Sequence, residues 1–246
     1  MKSIKKKIVI TGGEGRFAQV LKKTNNKLDI FYPNKKKLNI LNINSIIKYI
    51  KKVKPSILIH SAALSRPMNL HDKLISKSID INIIGTANVV KVCEKFNIKL
   101  IYFSTNYVYP GVKGNYLEKD PLLPVNNYAW SKLGGETSVQ LYKNSLILRV
   151  CMTEKPFVHK KAFANVKTSF LYQEEVAKIL FKLINKKGII NIGGSTKYIY
   201  DFVKNENKNI KKTYLKKHLD LGMPINSGIN TNKLKKIIKN SINIKF

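Results

Sequence analysis

The chain has 246 residues, 43% of them hydrophobic and 24% charged, which is room for one large domain or a nucleotide-binding domain with a small partner, and excludes a disordered or fibrous protein. No apolar run approaches the roughly 20 residues that span a bilayer, so no membrane partner is expected. The balance of 46 Lys+Arg against 14 Asp+Glu, +32 in all, would ordinarily point to nucleic acid, yet only Arg16, Arg66 and Arg149 are arginines.

Short β-branched runs alternate with longer amphipathic segments through the first half, the pattern of a parallel sheet with crossover helices. Strands are predicted at 7–11, 28–32, 57–61, 100–104 and 146–150, with helices at 16–23, 45–53, 76–96 and 127–142. Right-handed crossovers make this a doubly wound α/β (Rossmann) domain over residues 1–150. Past Arg149 the rhythm changes. Residues 151–170 have no clear period, 174–185 reads as a helix, 189–192 as a strand ended by Gly193-Gly194, and 232–240 as a helix in a tail rich in Lys and Asn. Residues 151–246 are expected to form a small lobe, partly interleaved with the first domain.

Lysine-rich stretches at 204–217 and 233–239 read as solvated faces. Lys, Asn and Ile all use AT-rich codons, and such drift spreads lysine over every surface, whereas readers of bases recruit arginine for its bidentate fork. Salt-sensitive attraction to polyanions is expected, and no specific nucleic-acid partner. Cys93 and Cys151 are too few and too far apart for a disulfide framework, and His60, His71, His159 and His218 lack metal-ligand spacing. Behind the basic start only Ile8-Val9-Ile10 precedes a glycine turn, too short an apolar stretch for a signal peptide. No metal and a cytoplasmic location are expected.

The first strand runs directly into Thr11-Gly12-Gly13-Glu14-Gly15-Arg16-Phe17-Ala18. A tight glycine turn opening a helix lets backbone N–H groups approach a pyrophosphate at the positive end of the helix dipole. Thr11, Gly12, Gly13, Gly15, Arg16 and Phe17 are therefore candidate cofactor-binding residues, with Ala18 small enough for helix and strand to pack. An acidic residue after the second strand would bond the ribose of NAD. Here that strand runs into Pro33-Asn34-Lys35-Lys36-Lys37, and Asp29 sits too early. With Arg16 nearby, a 2′-phosphate would meet positive charge, so NADP(H) is favoured over NAD(H).

Ser104-Thr105 ends a mid-chain strand, and Tyr128-Ala-Trp-Ser-Lys132 lies on the next helix. Positions four apart share a helix face, so the Lys132 ammonium can approach the Tyr128 hydroxyl and bring its pKa down from about 10 towards the range of a general acid or base. Thr105, at the carboxyl edge of the sheet, can bond the same substrate oxygen. Glycine turn, Thr105 and the Tyr128/Lys132 pair occur in the order a hydride-transfer site around a nicotinamide needs.

With these motifs the chain resembles the extended short-chain dehydrogenase/reductases, and within them the dTDP-4-dehydrorhamnose reductases. The resemblance rests on the glycine turn, on His60-Ser-Ala-Ala63 in place of the family's Asn-Ala-Ala, and on Asn82-Ile-Ile-Gly-Thr-Ala-Asn88. It continues through Ser104-Thr-Asn-Tyr-Val-Tyr-Pro-Gly111, Tyr116-Leu-Glu118, Pro124-Val-Asn-Asn-Tyr-Ala-Trp-Ser-Lys-Leu-Gly-Gly-Glu136 and Pro224-Ile-Asn-Ser-Gly-Ile-Asn-Thr-Asn-Lys-Leu234. It implies NADPH-dependent reduction of the 4-keto group of a nucleotide-activated deoxysugar. Tyr128 would donate the proton, Lys132 would hold the nicotinamide ribose, Thr105 would orient the carbonyl and Asn82 would help organise a proton-relay water. Ala62 and Ala63 would line the cofactor groove, and 151–246 would be a reduced substrate lobe. The family helix often packs in a homodimer.

Two features depart from the family pattern. The stretch between Arg149 and Tyr172 is short, and Asn106 stands where an aspartate is usual. Other readings stay open: an epimerase or dehydratase with bound NAD, and a noncatalytic NAD(P)-binding regulatory subunit. Gly134-Gly135 suits a close helix contact, Trp130 suits burial or a subunit contact, and Arg149 suits a structural role at a strand end, paired with a buried carboxylate.

Overall fold

The computed structural model describes residues 6–24, 28–216 and 222–239. Strand β1 (Lys7–Thr11) buries Ile8, Val9 and Ile10 completely, as a strand covered on both faces must. The glycine turn leads into α1 (Arg16–Thr24), which buries Phe17, Ala18 and Leu21. β2 (Asp29–Phe31) is shorter than the predicted 28–32. α2 (Ile43–Val53) is capped by Asn42, whose side chain accepts from the Ser45 N–H, and packs Ile46, Ile50 and Val53 inward.

β3 (Ile57–His60) is followed by α3 (Leu70–Lys73), α4 (Ile75–Ile79) and α5 (Gly85–Lys95). The single helix predicted over 76–96 is interrupted: Asp80–Ile84 forms a π-helical turn, closed by the Gly85 N–H reaching back to the Asp80 carbonyl. Such turns insert one residue into a helix and concentrate at functional sites. β4 (Lys99–Thr105), α6 (Asn127–Gln140) and β5 (Ser145–Val150) complete the predicted series.

Beyond β5, the stretch without period is a set of short strands: β6 (Met152–Thr153), β7 (Lys161–Phe163), β8 (Lys167–Thr168) and β9 (Leu171–Tyr172). α7 (Gln173–Leu183), β10 (Gly188–Ile192), β11 (Lys197–Tyr198), α8 (Ile199–Val203), β12 (Lys211–Thr213) and α9 (Asn232–Lys239) follow. The predicted end of the last helix at Asn240, part of the 204–217 stretch and His218 lie outside the described residues.

The main sheet has six strands in the order β10-β5-β4-β3-β1-β2, with β2, β1, β3 and β4 paired in parallel. This is the doubly wound α/β fold expected from the alternation of strands and helices. Contacts group the chain into two compact units, one of Met1–Ser104, Ser131–Leu148 and Ile184–Gly188, the other of Thr105–Trp130, Arg149–Leu183 and Ile189–Phe246. In the second unit, β7 pairs with β12 and β8 with β11. Ala162, Val166, Ile199, Val203 and Ile210 form its own core, with Phe163, Phe170 and Phe202 packed against them.

Candidate active site

In the first unit the chain leaves β1 towards β2 but resumes from β3 in the other direction, so the strand order reverses between β1 and β3. Ligands of open α/β sheets bind beyond the carboxyl ends of strands at such a reversal. The glycine turn lies there, pressed against its neighbours. Gly12 has φ +69°, and a Cβ on it would stand 2.8 Å from the Ala62 Cα. A Cβ on Gly13 would meet the Tyr32 carbonyl carbon at 2.5 Å, and its N–H donates to the Pro33 carbonyl at 3.1 Å. Only glycine lets the turn after β1 lie on the loops after β2 and β3, which brings the positive end of α1 to the reversal. This cradle fits a dinucleotide pyrophosphate.

The candidate cofactor residues divide on inspection. Gly12, Gly13 and Gly15 form the turn, Arg16 is exposed and donates to the Ser65 hydroxyl, Ala62 is half-buried and Ala63 exposed. Phe17 turns the other way, its ring edge-on to Phe103 with centroids 4.9 Å apart. The Thr11 hydroxyl is buried against His60 Nδ1 at 2.7 Å and accepts from the N–H groups of Ser61 and Ala62. Thr11 and Phe17 thus support the turn from behind.

Lys132 is buried, its ammonium 4.2 Å from the centre of the Tyr102 ring. The Tyr102 hydroxyl donates to the Lys132 carbonyl at 2.9 Å, fixing α6 over β4. Burial lowers the Lys132 pKa to about 7, and the Glu136 carboxylate one helical turn on opposes that shift. Glu136 is itself completely buried and accepts from the Ser104 hydroxyl and from Gln140. Asn82, at the centre of the π-helical turn, donates from its amide to Ser131 Oγ at 2.8 Å and to the Leu64 carbonyl at 2.9 Å, and accepts from the Leu64 N–H. Both amide donors of the residue expected to organise a relay water are therefore directed at protein atoms.

In the second unit, Thr105 ends β4, buried, with its hydroxyl accepting from the Tyr107 N–H. Tyr128 is half-buried in the first turn of α6 and stands four residues before Lys132 on that helix, the spacing that shares a face. Asn106 donates to the Ser227 carbonyl at 3.0 Å, a bond that an aspartate carboxylate could not donate. The departure from the family residue thus ties down the Pro224–Ser227 region. Arg149 is buried and donates to the Tyr109 hydroxyl and the Glu118 carbonyl, both at 2.9 Å. Trp130, read as buried or at a subunit contact, is 50% exposed.

Four residues of this arrangement have no role in the motif reading: Ser104, Glu136, Ser131 and His60. The signal for Glu136 is its place four residues after Lys132, where the two share a face. For His60 it is the replacement of asparagine in the motif after β3.

A reversing parallel sheet, a glycine cradle at the reversal and a Tyr-x-x-x-Lys spacing on α6 define a dinucleotide-binding protein of the short-chain dehydrogenase/reductase kind. The chain belongs to the family described as RmlD substrate binding domain, whose model matches residues 6–165. A curated dTDP-4-dehydrorhamnose reductase from Aggregatibacter actinomycetemcomitans is 28% identical over 60% of this chain and 51% of its own length. The methionine adenosyltransferase 2 subunit beta of Xenopus laevis is 33% identical over 46% of this chain and 34% of its own. The chain thus spans about half, or less, of the curated relatives it matches. The crystal structure of dTDP-4-dehydrorhamnose reductase from Bacillus anthracis in complex with NADP superposes with a TM-score of 0.84 at 25% identity, covering 96% of this chain and 93% of that one.

Proposed function

We propose that the chain is an NADPH-dependent reductase of the 4-keto group of a nucleotide-activated deoxysugar. The observation that carries this reading is the spacing of Tyr128 and Lys132, one helical turn apart on α6, in a chain that also has an intact glycine cradle after β1 and Thr105 at the end of β4. The reductase relatives support it.

A bound reduced nicotinamide would supply hydride to the carbonyl carbon. The protein supplies the rest. Thr105 and Tyr128 hold the carbonyl oxygen, and the Tyr128 hydroxyl gives it the proton as the alkoxide forms. Lys132 holds the nicotinamide ribose and, when charged, favours the phenolate left behind. Gly12, Gly13 and Gly15 admit the pyrophosphate, Ala62 and Ala63 border the groove, and Arg16, Lys35 and Lys36 favour a 2′-phosphate. The two free thiols, Cys93 and Cys151, are both buried, which suits a reducing cytoplasmic compartment.

The test is titration with NADPH and NADH, followed by NADPH oxidation against a panel of 4-keto sugar nucleotides. Tyr128→Phe is expected to bind NADPH as the parent does and to lose turnover by about 10²-fold or more. A second reading, a cofactor-binding subunit of a larger enzyme, is favoured by the likeness to methionine adenosyltransferase 2 subunit beta. That reading predicts NADPH binding, no turnover with any keto-sugar, and no effect of Tyr128→Phe.

A further inference from the structure

His60 replaces asparagine in the motif after β3, and its surroundings decide the state of its ring. Thr11 and His60 are register partners across β1 and β3, and both are buried. The Thr11 oxygen accepts two backbone N–H groups, from Ser61 and Ala62, each at 3.2 Å. A hydroxyl has two lone pairs and one proton, so with both lone pairs engaged the proton points to His60 Nδ1, 2.7 Å away. Nδ1 is then bare, and the single ring proton sits on Nε2, directed at Thr86 Oγ1 at 3.0 Å. The Thr86 hydroxyl in turn donates to the Asn82 carbonyl at 2.8 Å. Each link has one direction.

That carbonyl belongs to the π-helical turn, Asp80–Ile84, whose Asn82 side chain clamps the Leu64 backbone to Ser131 of α6. The buried chain from β1 thus ends on the residue before Lys132. We propose that His60 is a positioning residue: as the Nε2–H tautomer it holds Thr86 against the π-helical turn and so sets Asn82, Ser131 and the following Lys132 relative to the glycine cradle. Protonating Nδ1 would set two protons against each other at Thr11. Burial, with the Lys132 charge adding to it, brings the ring's pKa down to about 3, so the neutral form persists.

The importance of Asn82 and Lys132 for turnover rests on the proposed reductase function, but the relay can be tested without it. In the full chain, ¹⁵N-histidine NMR at neutral pH is expected to show His60 neutral with the proton on Nε2, and an Nδ1–H or charged ring overturns the proposal. An asparagine amide reaches the Nδ1 position and a glutamine amide the Nε2 position. His60→Asn is therefore expected to speed amide exchange in residues 80–87 and 131–135 by about tenfold over the rest of the chain, and His60→Gln to restore it. Uniform acceleration, or none, overturns the proposal. In active enzyme, His60→Asn lowers kcat about tenfold and weakens NADPH binding, and His60→Gln recovers both, whereas equal kcat in all three removes the positioning role. Absence of turnover in the parent defeats the reductase reading and leaves the NMR and exchange results to decide the relay.

Discussion

The Ser104 hydroxyl of β4 donates to the Glu136 carboxylate of α6, and both residues are buried. A carboxylate so placed favours the charged form of Lys132 one turn earlier on the same helix, against the effect of burial. Glu136→Gln keeps an acceptor for Ser104 and removes the charge. The Lys132 pKa is expected to fall below its value of about 7. Titration of the Lys132 Nζ by ¹⁵N-lysine NMR reads this directly, and an unchanged or higher midpoint would contradict it. Glu136→Ala additionally leaves Ser104 without its acceptor and opens a cavity, for a loss of about 3 kcal/mol in urea unfolding.

Buried Lys132 also makes stability depend on pH in a set direction. Its pKa is about 7 when folded against 10.5 as the ordinary value. Between the two, the unfolded chain keeps the proton that the folded chain has released, so stability rises with pH across this window. Below pH 7 the cost of the buried charge is present in full. Lys132→Met removes the dependence. The stability of the parent relative to Lys132→Met should therefore climb from pH 7 to 10, with a slope of up to about 1.4 kcal/mol per pH unit. Urea unfolding of both proteins across that range measures it. A flat difference would mean that Lys132 stays charged when folded.

The paired glycines of α6 are not equivalent. A Cβ on Gly135 would stand 2.4 Å from the Asn82 carbonyl oxygen and 2.7 Å from the Tyr102 hydroxyl, so α6 touches the backbone of the π-helical turn there. A Cβ on Gly134 would meet the end of the Ile83 side chain at 2.8 Å, a group that can turn aside. Alanine gains up to about 1 kcal/mol of helix propensity at either position. For Gly134→Ala that gain offsets the contact, and unfolding is expected within about 0.5 kcal/mol of the parent. Gly135→Ala should lose about 1–3 kcal/mol through overpacking. Equal midpoints for the two variants in denaturant would refute the difference.

The fold was legible because each buried strand is a short β-branched run and the glycine turn follows the first of them. Ile8-Val9-Ile10 before Gly12 specifies both the strand and the place of the reversal. The π-helical turn was not, since 76–96 carries an uninterrupted helical pattern. The inserted residue is accommodated only because Asn82 finds Leu64 and Ser131, which are distant in sequence. Lys132 and Glu136 illustrate the same limit. A Lys and a Glu one turn apart ordinarily read as a solvent-facing pair, and their burial follows from Tyr102 and Ser104 on β4. Asn106 was visible as a departure, but its reason is the Ser227 carbonyl, contributed from the far end of the chain.

The proposed preference for NADPH rests on the residues that follow β2. An open cleft of about 700 Å³ there is lined by Glu14, Asn34, Lys35, Lys36, Asn39, Asn42 and Ser45. β2 ends at Phe31, and of the three exposed lysines after it Lys35 and Lys36 line this cleft, where an NAD-binding relative would offer a carboxylate. Glu14 is the opposing charge, on the glycine turn itself. Each exposed lysine facing a 2′-phosphate contributes about 0.5–1 kcal/mol, so Lys35→Ala/Lys36→Ala should weaken NADPH binding about tenfold. NADH, which has no such phosphate, should change less than twofold, and Glu14→Gln should strengthen NADPH more than NADH. Both effects should shrink as salt is raised, because these charges are screened by solvent. Calorimetric titration of the three proteins with both cofactors reads the ratio. Parallel losses for NADPH and NADH would assign the lysines to general attraction and leave the 2′-phosphate to another part of the chain.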